Sequence, residues 1–157
     1  MCEKTNVILD LHDINTDNIH VLEPIRNTII QNGYFRRIIY SNEFMTLNNL
    51  IVHLNVSNAK IQKYYQKYKC YINESIYESM QMLVDLEHFI LNNTGKIDKI
   101  QKANLLEQVR NGFVKFFNHQ SSEQNVEYHT NFTLQIKISG IWETDTEYGI
   151  TYKIVSF

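Results

Sequence analysis

The chain has 157 residues, of which 43% are hydrophobic and 20% are charged, enough apolar surface for a single domain over residues 1–157. Because its N-terminus is polar and it lacks a run of about 18 apolar residues, the sequence predicts neither a secretory signal nor a membrane-spanning helix. Cys2 and Cys70 are too few for a disulfide framework and lack metal-ligand spacing. We therefore expect reduced thiols, no membrane contact and an intracellular location.

The net charge of −2 conceals three segments of different sign. Residues 1–23 and residues 74–157 each carry −4, whereas residues 24–73 carry +6. A nearly neutral protein with one basic segment can attract a polyanion locally and stay soluble. The alternative interpretation is an ordinary solvated lysine face. Opposed only by Glu43, the basic residues of the middle segment are Arg26, Arg36, Arg37, Lys60, Lys63, Lys67 and Lys69.

The first elements are predicted to be short. Residues 7–11 indicate a strand, or part of an extended N-terminal arm over residues 1–20. Residues 13–18 favour a loop. Residues 22–31 predict a short helix, with Pro24 in its first turn and Asn32-Gly33 ending it.

Two strands are predicted next. Residues 34–40 are rich in β-formers, and residues 41–43 favour a turn. An alternating pattern follows, which places one face of a strand on the core. Asn48-Asn49 predicts a tight turn within it, and Ser57-Asn58 predicts its end. The alternating positions are Phe44, Thr46, Leu50, Val52, Leu54 and Val56.

Lysines and tyrosines then interleave from Lys60 to Tyr71 without an acid between them. The spacing of apolar residues fits a helix and the composition fits a strand; we expect a strand in the second half, ending at Asn73. Either conformation places cations beside rings, the combination that holds a phosphate backbone and stacks unpaired bases. The strand face would carry Lys63, Lys67, Lys69, Tyr65 and Tyr71, and the helix face Lys60, Lys63, Lys67 and Tyr64.

The clearest element is a helix that begins after Asn73, a good N-cap, and ends at Thr94-Gly95. A second helix is predicted over residues 98–110 and ends at Asn111-Gly112, so residues 74–110 form a helical insertion. The apolar stripe of the first helix is Ile76, Met80, Leu83, Val84, Leu86 and Ile90. The inward positions of the second are Ile100, Ala103 (or Asn104), Leu106 and Val109.

The remaining residues predict a strand over 113–117, a polar loop over 118–125 and a strongly alternating strand from Phe132. Gly140 suggests a bulge, residues 144–147 a charged turn and residues 148–155 the last strand. The order of elements predicts an α+β fold, in which an antiparallel sheet or small β-barrel carries the inserted helical pair.

No catalytic motif is present, because the five glycines and six histidines are dispersed along the chain. We predict no enzymatic activity, no cofactor and no metal site. Glu143, Asp145 and Glu147 alternate in a turn and resemble a cation site, but such a turn is more often a solvated hairpin tip. Trp142, the only tryptophan, packs in a core or stacks a base.

The C-terminal passage from Leu134 to Ile154 resembles the closing hairpin of phage T7-type single-stranded DNA-binding proteins, a family also found in large nucleo-cytoplasmic DNA viruses. An apolar strand, Gly140-Ile-Trp142, a polar turn and Tyr148-Gly-Ile-Thr-Tyr-Lys153 carry the resemblance. It implies an OB-fold-like barrel that coats single-stranded DNA in replication and recombination, without enzymatic activity. The family ends in an acidic tail closed by an aromatic residue. This chain ends in Phe157 without acids before it, which leaves contact with replication proteins in question.

The leading hypothesis is a non-catalytic protein that binds single-stranded DNA, with RNA and a homodimer left open, in the host cytoplasm or nucleus if the protein is viral. The alternative is a viral structural or assembly protein with a tyrosine-rich interface. The predicted phosphate-binding residues are Arg36, Arg37, Lys60, Lys63, Lys67 and Lys69. The predicted base-stacking residues are Tyr64, Tyr65, Tyr68 and Trp142.

Overall fold

The computed structural model describes residues 7–29, 32–95, 97–118 and 128–156. The α-helices in this part are α1 (Glu74–Asn92) and α2 (Asn104–Arg110), and short 3-10 helices span Leu11–Asp13 and Thr16–Asn18. The strands are β1 (Leu9–Asp10), β2 (Ile19–Val21), β3 (Ile25–Arg26), β4 (Tyr34–Ser41), β5 (Thr46–Leu47), β6 (Leu50–Tyr64), β7 (Lys67–Tyr71), β8 (Ile100–Lys102), β9 (Phe113–Asn118), β10 (Tyr128–Glu143) and β11 (Glu147–Ser156). Of the two helices, neither is long and apolar enough to cross a membrane.

Five strands close into a barrel in the order β6, β7, β9, β11, β10 and back to β6. Every neighbouring pair is antiparallel except β9 and β11, which run parallel. Both helices lie between β7 and β9 in the chain. The structure therefore confirms the predicted α+β fold, an OB-fold-like barrel with an inserted helical pair.

Strand β6 is longer than the sequence predicts, because Ser57-Asn58 forms a bulge and does not end it. Asn58 has a φ of 52°, and its N–H donates to Oδ1 of Asn131 at 2.9 Å. The buried side chains alternate on even positions up to Val56 and on odd positions from Ala59. This change of phase turns Lys60 and the residues two and four positions after it to the outside of the barrel.

Helix α1 matches its prediction. Oδ1 of Asn73 accepts from the N–H of Ile76 at 3.3 Å and caps the first turn. The predicted apolar stripe is buried along its whole length, and Leu91 and Glu87 are buried beside it. The helix therefore covers the core through the face that its periodicity indicates.

Helix α2 is shorter than predicted, since residues 100–102 form strand β8, parallel to β11, and Ile100 is exposed. No side chain of its own segment caps it. Instead the carboxylate of Glu87 on α1 accepts from the N–H groups of Leu105 at 3.0 Å and Leu106 at 3.1 Å. Burial raises the pKa of Glu87, and these two hydrogen bonds oppose the rise. A cap supplied from another helix leaves no local sequence pattern.

Two further predictions are wrong. Residues 22–29 are not helical, because Ile25 pairs with Phe35 of β4 and the N–H of Asn27 donates to the carbonyl of Gly33 at 2.8 Å. Phe44 is 91% exposed and does not face the core, because Asn42 closes a turn there through its Oδ1 atom. The predicted loop over residues 118–125 lies almost wholly outside the described residues.

Candidate nucleic-acid interface

The lysine- and tyrosine-rich stretch folds as a hairpin of β6 and β7 with Tyr65-Gln66 as its turn. Tyr65 has a φ of 54°, a left-handed conformation that a two-residue hairpin turn usually gives to Gly or Asn. Its ring is 83% exposed and stands edge-on to Tyr64, with the ring centroids 4.8 Å apart. An exposed aromatic residue at a strained turn position is a candidate for ligand contact.

The hairpin divides its side chains between two surfaces. Cys70 of β7 and Val114 and Phe116 of β9 point into the barrel, where burial raises the pKa of the Cys70 thiol to about 12. The residues between them point outward. Together with the outward side chains at the end of β6 and one lysine of β11, they form what we call the lysine–aromatic face: Lys60, Gln62, Tyr64, Lys67, Lys69, Tyr71, Phe113, Lys115, Phe117 and Lys153.

Two lysines meet at the centre of this face. Lys69 and Lys115 lie directly opposite each other in the β7–β9 ladder. Their Nζ atoms lie 4.3 Å and 4.6 Å from the centroid of the same ring, that of Tyr64. Like charges directly opposite each other across strands destabilise a sheet, and the cation–π contacts with the ring act against this repulsion.

Two more groups of lysines and rings flank the centre. Phe117 lies under the Nζ atoms of both Lys67, at 4.9 Å, and Lys153, at 5.1 Å. On the other side Lys60 lies 5.2 Å from the ring centroid of Tyr71. The hydroxyl of Tyr71 donates to Oε1 of Gln62 at 2.7 Å, which fixes that ring on the face. Cations and rings thus alternate across the outer surface of four neighbouring strands.

Helix α2 supports the β9 half of the face. Among the described residues, strands β9 and β11 pair at Phe117 and Asn118. Where the two strands diverge, the side chain of Gln108 on α2 connects them. Its Oε1 atom accepts from the N–H of Lys115 on β9 at 2.7 Å, and its Nε2 atom donates to the hydroxyl of Tyr152 on β11 at 2.5 Å. Burial, with a smaller effect of the Glu87 carboxylate, raises the pKa of Tyr152 to about 12. The Lys115 backbone is therefore tied to the helical insertion.

The structure brings part of the predicted set together. Lys60, Tyr64, Lys67 and Lys69 share the lysine–aromatic face, and Tyr65 lies at its edge. Lys63 and Tyr68 lie opposite each other on the other side of the hairpin. There Tyr68 packs against the core and stacks on Phe116, with centroids 5.7 Å apart.

The remaining predicted residues lie on β4 and β10. Arg36 forms an ion pair with the buried Glu143 at 3.6 Å, and its Nη1 donates to the carbonyl of Thr94 at 3.4 Å. Arg37 is exposed on the same strand, and Trp142 is half-buried beside Phe35. Arg36 is thus held in a structural contact, while Arg37 and Trp142 face a separate surface.

The residues of this face outside the stretch from Lys60 to Tyr71 were missed by the sequence analysis: Phe113, Lys115, Phe117 and Lys153. The alternation of residues 113–117 was the available indication, because it turns Phe113, Lys115 and Phe117 to one side of a strand. Which strand would pair with this one was not evident from the local pattern.

The acidic turn is held by ion pairs. Glu143 accepts from Nζ of Lys99 at 2.8 Å besides its contact with Arg36, and Glu147 lies 3.3 Å from Nζ of Lys102. Across residues 7–29, 32–95, 97–118 and 128–156, no three His, Cys, Asp or Glu side chains come together as a metal site.

Comparison of the chain with protein-family models, with curated proteins and with solved structures gives no match. Its function must therefore be inferred from its own residues.

Proposed function

We propose that this protein binds single-stranded DNA without catalysis and coats it during replication and recombination. OB-fold barrels bind oligonucleotides over their second and third strands and over the loops that join strands one to two and four to five. In this barrel the second and third strands are β7 and β9, and the first of those loops is the Tyr65-Gln66 turn. The lysine–aromatic face covers this region.

The pairing of Lys69 with Lys115 is the observation that carries the proposal. Within the part of the chain that the structure describes, neither lysine forms a salt bridge with a carboxylate. A surface that served only folding would favour an opposite charge at one of the two positions. A phosphate backbone laid over them removes the repulsion and releases counterions, so the unfavourable pair becomes a source of affinity.

The exposed rings favour a single strand over a duplex. Tyr64 and Tyr65 project at the tip of the hairpin, and unpaired bases can stack on such rings for roughly 1–3 kcal/mol each. A duplex hides the faces of its bases and offers the same surface only its phosphates. Because neither stacking nor phosphate contact reads the 2′-hydroxyl, we expect RNA of the same sequence to bind with similar affinity.

Fluorescence anisotropy with a labelled oligothymidylate at rising salt tests the proposal. For a single strand, each phosphate contact contributes about −0.7 to the slope of the logarithm of the binding constant against the logarithm of the salt concentration. The five lysines of the lysine–aromatic face therefore predict a slope of about −3.5. We expect Lys69→Gln to reduce the slope by about 0.7. The matched control is Lys102→Gln, which removes the same charge from an ion pair with Glu147 and should leave the slope unchanged.

Preference for a duplex, or equal slopes for the two variants, would overturn the proposal. Light scattering on the same samples tests the alternative of the sequence analysis, because an assembly protein would form a large stable oligomer that is indifferent to the oligonucleotide.

A further inference from the structure

We infer that the bound strand continues from the lysine–aromatic face across β11 and places one base in an apolar groove beside Trp142. This inference rests on the proposed function and adds a second binding site to it. The groove has a volume of about 520 Å³. Its principal lining residues are Ile25, Arg26, Ile29, Phe35, Trp142 and Thr151.

The sheet register builds the groove. Gly149 of β11 pairs with Trp142 of β10, Trp142 pairs with Phe35 of β4, and Phe35 pairs with Ile25 of β3. These residues form one row across four strands. Alternate residues of a strand face the same way, so the row presents its rings and the Ile25 side chain to one surface. Two extra strands outside the barrel thus complete a site that the barrel alone would lack.

Two glycines let the rings lie close to the sheet. A Cβ atom on Gly149 would lie 2.8 Å from Cζ2 of Trp142, and one on Gly140 would lie 2.5 Å from Cζ of Phe35. Thr151 pairs with Gly140 and also lines the groove. The groove therefore has two aromatic rings that lie against the sheet, a lining suited to a planar base.

A second pair of opposed lysines connects this groove to the lysine–aromatic face. Lys137 and Lys153 lie directly opposite each other in the β10–β11 ladder and are both exposed. Neither forms a salt bridge with a carboxylate of the described residues. Lys153 contacts Phe117 of the face, and it lies on the same side of β11 as Thr151, about 7 Å along the strand. The cations thus lead from the face to the edge of the groove.

The positive charges around the groove favour an occupant that carries a phosphate. The approach passes two lysines, and Arg26 lines the groove itself. An apolar ligand would gain nothing from these cations, whereas a base attached to a phosphate backbone uses both the rings and the cations. A base of the same single strand is the occupant that fits this continuity.

The only tryptophan of the chain lies in this groove, so no second tryptophan contributes to the emission that reports on the site. Oligothymidylates of about 4 and about 16 nucleotides, the limits of known OB-fold site sizes, would be titrated by anisotropy and by tryptophan emission. The groove variant is Ile29→Glu and the control is Phe44→Glu. The two side chains are 92% and 91% exposed, so both substitutions add one charge at a surface position and leave the core intact.

We expect the longer oligonucleotide to quench Trp142 and to bind Ile29→Glu about 5- to 150-fold more weakly than the unmodified protein. The shorter one should bind Ile29→Glu, Phe44→Glu and the unmodified protein alike. The longer oligonucleotide could bind by anisotropy, leave Trp142 emission unchanged and bind Ile29→Glu as tightly as the unmodified protein. That result would overturn the second site and leave the proposed function standing. Equal weakening of both lengths would also overturn the continuous path. Absence of binding by anisotropy would overturn the proposed function and this inference together.

Discussion

Replacing Lys115 by Glu should stabilise the protein and weaken its binding to DNA. The Nζ atoms of Lys69 and Lys115 lie 4.3 Å and 4.6 Å from one ring centroid, so they are at most about 9 Å apart. At that distance two unit charges repel by about 0.5 kcal/mol in water and by about 2 kcal/mol at an effective dielectric constant of 20, before screening by salt. The substitution converts this repulsion into attraction.

The gain in stability is reduced by the loss of one cation–π contact with Tyr64, about 0.5–1 kcal/mol. Measured cross-strand charge pairs contribute about 0.2–1 kcal/mol. We therefore expect Lys115→Glu to raise the free energy of unfolding by about 0.5 kcal/mol at low salt and by less at high salt. Urea unfolding, followed by circular dichroism at about 0.05 M and about 0.5 M salt, measures both values.

The same variant should bind oligothymidylate about tenfold more weakly near 0.1 M salt, because it loses one phosphate contact and adds a repelling charge. The control is Lys102→Glu, which breaks the ion pair with Glu147 and should lower stability slightly without affecting DNA. If Lys115→Glu destabilises the fold equally at low and high salt, or keeps its affinity for DNA, the electrostatic account of this face is wrong.

Four other predictions concern the helical insertion and the buried thiol of the barrel. Glu87→Ala should lower the free energy of unfolding by about 2–4 kcal/mol, since two N–H groups of α2 lose their acceptor. Because the folded pKa of Glu87 is raised above its ordinary value of 4.5, its protonation stabilises the fold. That contribution is lost as pH rises from 4.5 through the raised pKa. The free energy of unfolding of the unmodified protein, compared with that of Glu87→Gln, should therefore fall over this range when unfolding is measured at a series of pH values. Gln108→Ala should weaken DNA binding without changing the salt slope, because it frees the Lys115 backbone and removes no charge; an altered slope in the same anisotropy titration would contradict this role. In a Cys2→Ser background, Cys70 should react with a thiol reagent near pH 8 only after unfolding, because it is buried and its pKa is about 12; rapid labelling of the folded protein would refute its burial.

Local periodicity was sufficient where an element has one uninterrupted pattern. Helix α1 repeats its apolar residues at helical spacing, and β10 alternates through residues 132–138, so the sequence predicted both. Strand β6 was predicted too short, because the bulge at Asn58 moves its buried positions from even to odd numbers. Helix α2 was predicted too long, because its true start depends on Glu87, which lies on another helix.

The candidate interface was only half predicted, for a related reason. Composition drew attention to Lys60–Tyr71, whose residues are neighbours in the chain. It could not show that the stretch folds back on itself at Tyr65, a turn that moves Lys63 to the side opposite Lys67. Nor could it place Lys115 opposite Lys69, because that contact depends on the pairing of β7 with a strand on the far side of the helical insertion. Cross-strand register, unlike strand periodicity, is not contained in a local window.

The helical insertion therefore does more than lengthen the connection between β7 and β9. Glu87 of α1 fixes the start of α2, and Gln108 of α2 holds both Lys115 of β9 and Tyr152 of β11. Without this support, the described residues of β9 would be joined to β11 by two residue pairs. A lysine whose charge is repelled by its neighbour needs a backbone that cannot move away from that repulsion. The buried contacts of the helices supply this rigidity and hold the opposed lysines in the positions that the proposed binding of a phosphate backbone requires.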